Sequence, residues 1–140
     1  MSVIKVGIIG TGFSAKSHIE ALRRLNGIEV TAICASTLEK AKKTAEQFAI
    51  PKFYGSVDEL ISDPEINAIH NCTPNYLHYS INKKVLESDK HLLSEKPLAM
   101  TSEESRELVE LAKSRNVVAG VCFNYRHYPL VAQAREFIQK

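Results

Sequence analysis

Two sets of residues in this chain have types and spacing that could do chemistry. The first is Gly10, Gly12 and Ala15, in the pattern G-x-G-x-x-A. Gly10 can turn the chain sharply off a preceding strand. Gly12, without a β-carbon, lets the backbone approach a pyrophosphate. Ala15 lets the following helix pack close to that strand. Phe13 and Ser14 fall at the helix start, where free N–H groups and the positive end of the helix dipole favour phosphate. The second set is Glu95-Lys96-Pro97. Opposite charges at the end of an apolar strand are costly to desolvate without partners. Burial would lower the pKa of a lysine there toward the range useful for moving a proton. Pro97 restricts Lys96 and helps to aim it.

Two further segments accompany these. Thr73, Pro74 and Asn75, with His78 one helical turn on, combine a fixed backbone with hydrogen-bonding side chains. Asn124-Tyr125-Arg126 offers a cation for an anionic group or a sugar. Taken alone, each has a plainer reading. These are a glycine turn without a ligand, a turn with a helix cap and a surface histidine, a solvated ion pair, and a surface loop.

The elements that must position these residues follow from hydrophobic periodicity. Val3 to Ile9 reads as a buried strand, followed by a helix with Ala15, Ile19, Leu22 and Leu25 on one face. Further strands are expected at Glu29–Cys34, Lys52–Tyr54, Ala68–Cys72, His91–Ser94 and Val117–Phe123. Between them lie helical patterns through Leu38, Ala41, Ala45 and Phe48, through Leu77, Ile81 and Val85, and through Leu108, Leu111 and Ala112. Ser56 with Glu59 and Thr101 with Glu104 have capping-box spacing. Thr73 or Asn75 could cap the helix after the fourth strand. Pro129 suits the first turn of a last helix, with Leu130, Ala134 and Phe137 or Ile138 turned inward.

Alternation of this kind implies parallel strands joined by right-handed crossovers. The expectation is an α/β fold of three α/β/α layers around a doubly wound, mainly parallel, six-stranded Rossmann sheet of order 3-2-1-4-5-6. A ligand would then sit over the carboxyl ends of the strands, between strands one and four.

Composition narrows the function class. The chain has 140 residues, 44% apolar and 24% charged, which suits a single globular domain. The net charge is only +2 and the basic residues are scattered, which argues against nucleic acid or a membrane surface as partner. No apolar run is long enough to span a bilayer. The N-terminus has a strand pattern rather than a signal peptide, so a cytoplasmic protein is expected. Cys34, Cys72 and Cys122 form no C-x-x-C, so they read as packing residues and no metal is expected.

In their order and spacing, the glycine turn, Cys72-Thr73-Pro74-Asn75 with His78, Glu95-Lys96-Pro97 and Asn124-Tyr125-Arg126 resemble the glucose–fructose oxidoreductase / inositol dehydrogenase (Gfo/Idh/MocA) family. The resemblance covers nearly the whole chain. It implies a nicotinamide-dependent oxidoreductase acting on sugars, cyclitols or related hydroxy compounds. Lys96 would stand beside the substrate carbinol and move its proton. Thr73, Pro74, Asn75, His78 and Glu95 would line the pyrophosphate and nicotinamide-ribose side. Family members resemble this domain followed by a longer α/β domain that carries substrate contacts and usually a dimer surface. That second domain is absent here, so residues 1–140 are expected to be the nucleotide-binding domain alone. A dinucleotide sensor without turnover is the alternative. An S-adenosylmethionine methyltransferase is disfavoured, because Val6 to Ile9 hold no acidic residue before the turn.

The second strand speaks to cofactor choice. NAD sites usually carry a carboxylate at its end, about 20 residues past the glycine turn. Here Ala35 is the closest match to that place, followed by Ser36, Thr37 and Lys40. Hydroxyls and a cation suit a 2′-phosphate, so NADP is expected over NAD. Glu39 opposes this, and Ser36 has the plainer reading of a helix N-cap.

Overall fold

A computed structural model of the chain describes residues 3–139. Strands β1 (Ile4–Ile9), β2 (Ile28–Cys34), β3 (Lys52–Tyr54), β4 (Ala68–Asn71), β5 (His91–Glu95) and β6 (Ala119–Cys122) form one sheet of order β3-β2-β1-β4-β5-β6. Every neighbouring pair is parallel. The strands alternate with helices α1 (Phe13–Leu22), α2 (Leu38–Gln47), α3 (Val57–Ser62), α4 (His78–Glu87), α5 (Ser102–Ser114) and α6 (Pro129–Gln139). Chain reversal in strand order falls between β1 and β4, as expected of a doubly wound sheet.

The alternation of strand side chains divides the core in two. Val6, Ile8 and Ile33 face one way and pack under Ala15, Ile19 and Leu22 of α1 and Ala45 of α2. Ile9, Ala32, Ile69 and Leu92 face the other way, under α3, α4 and α5. β1 is buried on both sides, which is why it reads as an uninterrupted apolar run.

Several local expectations are corrected. Leu25 is exposed, because α1 stops at Leu22 and the chain turns through Gly27 at φ +78. Ser56 makes no side-chain cap; the first turn of α3 carries Asp58 and Glu59, with Asp58 drawn to Lys84 at 2.7 Å. The Thr101–Glu104 box forms in full. Neither Thr73 nor Asn75 caps α4: a 3-10 turn, Asn75–Leu77, runs directly into it. β6 begins at Ala119 rather than Val117, because Asn116 is left-handed and the Val117 N–H still bonds back to Ala112. Pro129 does open α6, but Leu130, Ala134, Phe137 and Ile138 are all exposed. The helix packs on the 3-10 turn Asn124–His127 before it, and its apolar face meets no layer of the described residues.

Candidate functional site

At the carboxyl ends of β1, β2 and β4 the chain leaves a groove of about 640 Å³. One wall is the glycine turn. Gly10 has φ +113, and a β-carbon there would stand 2.5 Å from the Cys72 carbonyl oxygen, so only glycine lets β1 turn this close to the end of β4. Gly12 is different: a β-carbon on it would meet nothing within 4 Å. That open space lies at the start of α1, where Gly12 as N-cap brings no side chain to the first-turn N–H groups. Unpartnered helix N–H groups beside room for a ligand suit an anion such as a pyrophosphate.

The structure gathers Gly10, Gly12, Phe13, Ser14, Ser36, Thr73 and Pro74 around this groove. Ala15 is fully buried and serves packing, as its small size suggests. Thr37, not Ser36, caps α2, its hydroxyl oxygen accepting the Lys40 N–H at 3.2 Å. The plainer reading of Ser36 therefore fails. Its hydroxyl instead accepts from Lys40 Nζ at 3.4 Å, placing hydroxyl and ammonium together on the exposed end of β2.

His78 does not line the groove. It is fully buried, and its two ring nitrogens face the carbonyl oxygens of Thr73 and Pro97. It braces the loop after β4 against the loop after β5 instead. A second brace runs beside it. Asn71 donates to Asn82 Oδ1 at 2.9 Å, and Asn82 donates to Ser94 Oγ and the Leu98 carbonyl. Thr73 closes the chain, its hydroxyl and N–H both donating to Asn71 Oδ1. All of Asn71, Asn82 and Ser94 are 0% exposed, so the rim of the groove is set from inside the core.

Glu95 ends β5, with its side chain mostly buried, and Lys96 stands exposed beyond it. The burial expected of Lys96 is not supplied by this chain. Glu95 accepts the Lys96 backbone N–H at 3.1 Å and contacts His18 Nε2 at 3.1 Å. His18 Nδ1 in turn lies 2.9 Å from His70 Nδ1. Burial, with His18 adding to it, lowers the His70 pKa to about 4. Sequence spacing gives no signal for His18, His70, Asn71 or Asn82, since each is a single polar residue in an apolar element. Asn124 and Arg126 lie on the exposed turn after β6, which does not reach the groove; the turn before α4 lines it through Tyr76 and Leu77, while Asn75 itself does not.

Cys34 and Cys72 are buried at the floor of the groove. Burial, then the Glu59 carboxylate, raises the Cys34 thiol to about 11. Burial, then Glu95 and Cys122, raises Cys72 to about 12.

Comparison with known proteins gives this site its context. A model of an oxidoreductase family with an NAD-binding Rossmann fold matches residues 4–123. The chain is 34% identical to the levoglucosan dehydrogenase of Pseudarthrobacter phenanthrenivorans, covering all of this chain and 38% of that protein. A levoglucosan dehydrogenase structure in complex with NADH and levoglucosan superposes with a TM-score of 0.89 at 34% identity, over 99% of this chain and 39% of that one. KijD10, a 3-ketoreductase from Actinomadura kijaniata in complex with NADP, superposes with a TM-score of 0.91 at 27% identity, over 99% and 42%. The chain thus spans roughly two fifths of the length of these proteins.

Proposed function

The chain belongs to the Gfo/Idh/MocA oxidoreductase family, and from that premise we propose that it forms the dinucleotide-holding part of an enzyme that moves hydride between a nicotinamide and a sugar, cyclitol or related hydroxy compound. The observation that carries this reading is the open groove at the β1–β4 switch, with the uncapped start of α1 and the β-carbon-free surface of Gly12 along one wall. When bound, the nicotinamide supplies or accepts the hydride, and the protein's work is to hold and orient.

In this reading Gly10, Gly12, Phe13, Ser14, Thr73 and Pro74 receive the pyrophosphate side. Lys96 moves the substrate hydroxyl proton, as acid in reduction and base in oxidation. Glu95 sets the peptide that carries Lys96. His78 acts from behind, holding Thr73 and Pro97 in place. Asn75, exposed beside Pro74, stays on the cofactor side, and Asn124 and Arg126 are exposed and would reach substrate under a covering layer.

We place NADP ahead of NAD. The similar solved structures include one with NADH and one with NADP, so the choice rests on this chain's own residues. Ser36 has its hydroxyl free of capping duty, Lys40 stands beside it, and Thr37 opens α2 with its own hydroxyl proton available. Glu39 is exposed and its charge can turn to solvent.

The apolar surface of α6 supports a further layer over it, either a substrate-carrying α/β domain or a second copy in a homo-oligomer. No helix among the described residues is long and apolar enough to cross a membrane. The free thiols support a reducing, cytoplasmic setting.

Calorimetric titration of the chain with NADPH, NADH and S-adenosylmethionine tests the reading. Heat from the reduced dinucleotides and none from S-adenosylmethionine is expected. Binding of S-adenosylmethionine alone would overturn it.

A further inference from the structure

We propose that His70 and His18 form a part-buried donor relay that fixes the Glu95 carboxylate, making His18 a positioning residue for the Glu95–Lys96 site. The proposal rests on the reading that Glu95 and Lys96 border the nicotinamide. Its members come from separate elements: His18 from α1, His70 from β4 and Glu95 from the end of β5. The His18–His70 ring centroids lie 5.0 Å apart, edge to face at 89°, with the two Nδ1 atoms 2.9 Å apart.

The chemistry of the partners sets the direction of the protons. A carboxylate only accepts, so the 3.1 Å contact from His18 Nε2 to Glu95 Oε1 needs the proton on Nε2. A neutral His18 ring then has a bare Nδ1, and His70 must donate to it. His70 is suited to this, because burial disfavours its cation and leaves a ring that carries one proton. The relay runs from His70 Nδ1–H to His18 Nδ1, and from His18 Nε2–H to Glu95.

The result is a carboxylate held at both oxygens. Oε1 takes His18, and Oε2 takes the Lys96 backbone N–H at 3.1 Å. Glu95 cannot rotate without breaking one of the two. Because Oε2 grips the Lys96 peptide, the orientation passed down the relay reaches the backbone from which the Lys96 side chain springs. Among the described residues no buried side-chain nitrogen or oxygen is left without a partner. A polar chain so fully satisfied rigidifies its surroundings.

One further group faces the relay. Cys122, at the end of β6, brings its sulfur to Glu95, and ligand atoms of His18, Glu95 and Cys122 lie within 4.8 Å of one another. Burial first, then Glu95, raises the Cys122 thiol, so it stands there as a neutral donor.

Imidazole nitrogen NMR of the chain tests the relay directly. His18 is expected to carry its proton on Nε2 and His70 on Nδ1 at neutral pH. Glu95→Gln should shift the His18 nitrogens. A bare Nε2 on His18, or no response to Glu95→Gln, would overturn the relay. Loss of the Nε2 proton to one equivalent of added Zn²⁺ would assign the cluster to a metal and overturn it as well. The positioning role is read from NADPH affinity. His18→Leu should weaken binding about fivefold, and His18→Gln, whose amide can donate from the Nε2 position, should stay within about twofold. In a Glu95→Gln background the His18→Leu effect should vanish; an equal effect there would mean that His18 only packs. Gln at position 18 also guards against a Leu variant that fails to fold. His18 resonances unmoved by saturating NADPH would remove Glu95 from the binding site and overturn the positioning role, while leaving the tautomer result standing.

Discussion

Gly10 lies so close to Cys72 that a β-carbon on the glycine would stand 2.5 Å from the cysteine's carbonyl oxygen. The turn that opens the groove and the strand that walls it are therefore fitted backbone to backbone. Gly10→Ala adds a clash with main chain to a φ of +113, and should cost about 3 kcal/mol or more. Gly12→Ala meets nothing within 4 Å at φ −78, and should leave stability within about 0.5 kcal/mol. Yet its methyl group enters the space at the start of α1, so dinucleotide binding should fall sharply. Urea unfolding and calorimetry of the two variants separate the roles.

Cofactor preference turns on the end of β2. Lys40→Ala should weaken NADPH by about three- to fivefold, the size of an exposed ion pair, and leave NADH within about twofold. Tighter binding of NADH by the unaltered chain would refute the NADP preference outright.

Asn82 should matter for stability out of proportion to its distance from the ligand groove. Asn82→Leu removes the acceptor of Asn71 and the donor to Ser94 and Leu98, leaving buried groups unmatched. A loss of about 3 kcal/mol is expected in chemical denaturation. Chemical shifts should move in both the Thr73 and the Leu98 loops.

Acid should act through His70 first. Its pKa is 6.5 in the unfolded chain and about 4 in the folded one, because burial and then His18 disfavour the cation. Between these values the unfolded chain holds the extra proton, so stability is full above 6.5 and falls as pH drops toward 4. The loss at the low end should approach about 3 kcal/mol. His70→Asn keeps a donor near the Nδ1 position but does not titrate, and should flatten the profile. Asp63 acts lower. Burial alone would raise its carboxyl, but Lys52, the Glu65 N–H and the Tyr54 hydroxyl outweigh it and hold it at about 2. Its contribution is present above 3.8 and is lost as pH falls through 2.

Turnover by this chain alone should be slow or absent with a panel of sugars and cyclitols. Hydride transfer needs reacting atoms held within about 3–3.5 Å, and Lys96, Asn124 and Arg126 all stand exposed. Robust turnover that Lys96→Ala abolishes would keep the role of Lys96 and show that no covering layer is needed. Robust turnover unaffected by Lys96→Ala would remove both claims.

How far the sequence is legible depends on the range of the interaction. The glycine turn can be read because strand, turn and helix adjoin in the chain and each imposes its own period. The sheet order follows from alternation and handedness. Asn71, Asn82 and Ser94 cannot be read this way. Each breaks an apolar pattern once, and they become one hydrogen-bonded chain only after β4, α4 and β5 pack together. His78 misleads for the same reason: its neighbours in sequence point to the ligand, while its neighbours in space are two carbonyl groups. In α6 the spacing of Leu130, Ala134 and Phe137 predicts a buried face, and that face stands exposed because periodicity sets which residues share a face and not whether another element packs on it.

The pairing of β1 with β4 also bears on how the domain comes into being. Lys5 bonds to Asn67, 62 residues away, and Val6 lies beside Ala68. β1 is made before β4, so one of its two partner strands follows only after three helices and two further strands. Such non-local closure slows folding and leaves apolar strands open meanwhile. The glycine turn thus spends its first seconds without its far wall, and no dinucleotide can template it. A nascent chain stalled before β4 would leave the β4-facing edge of β1 open, making that interval the one in which this domain most needs a chaperone.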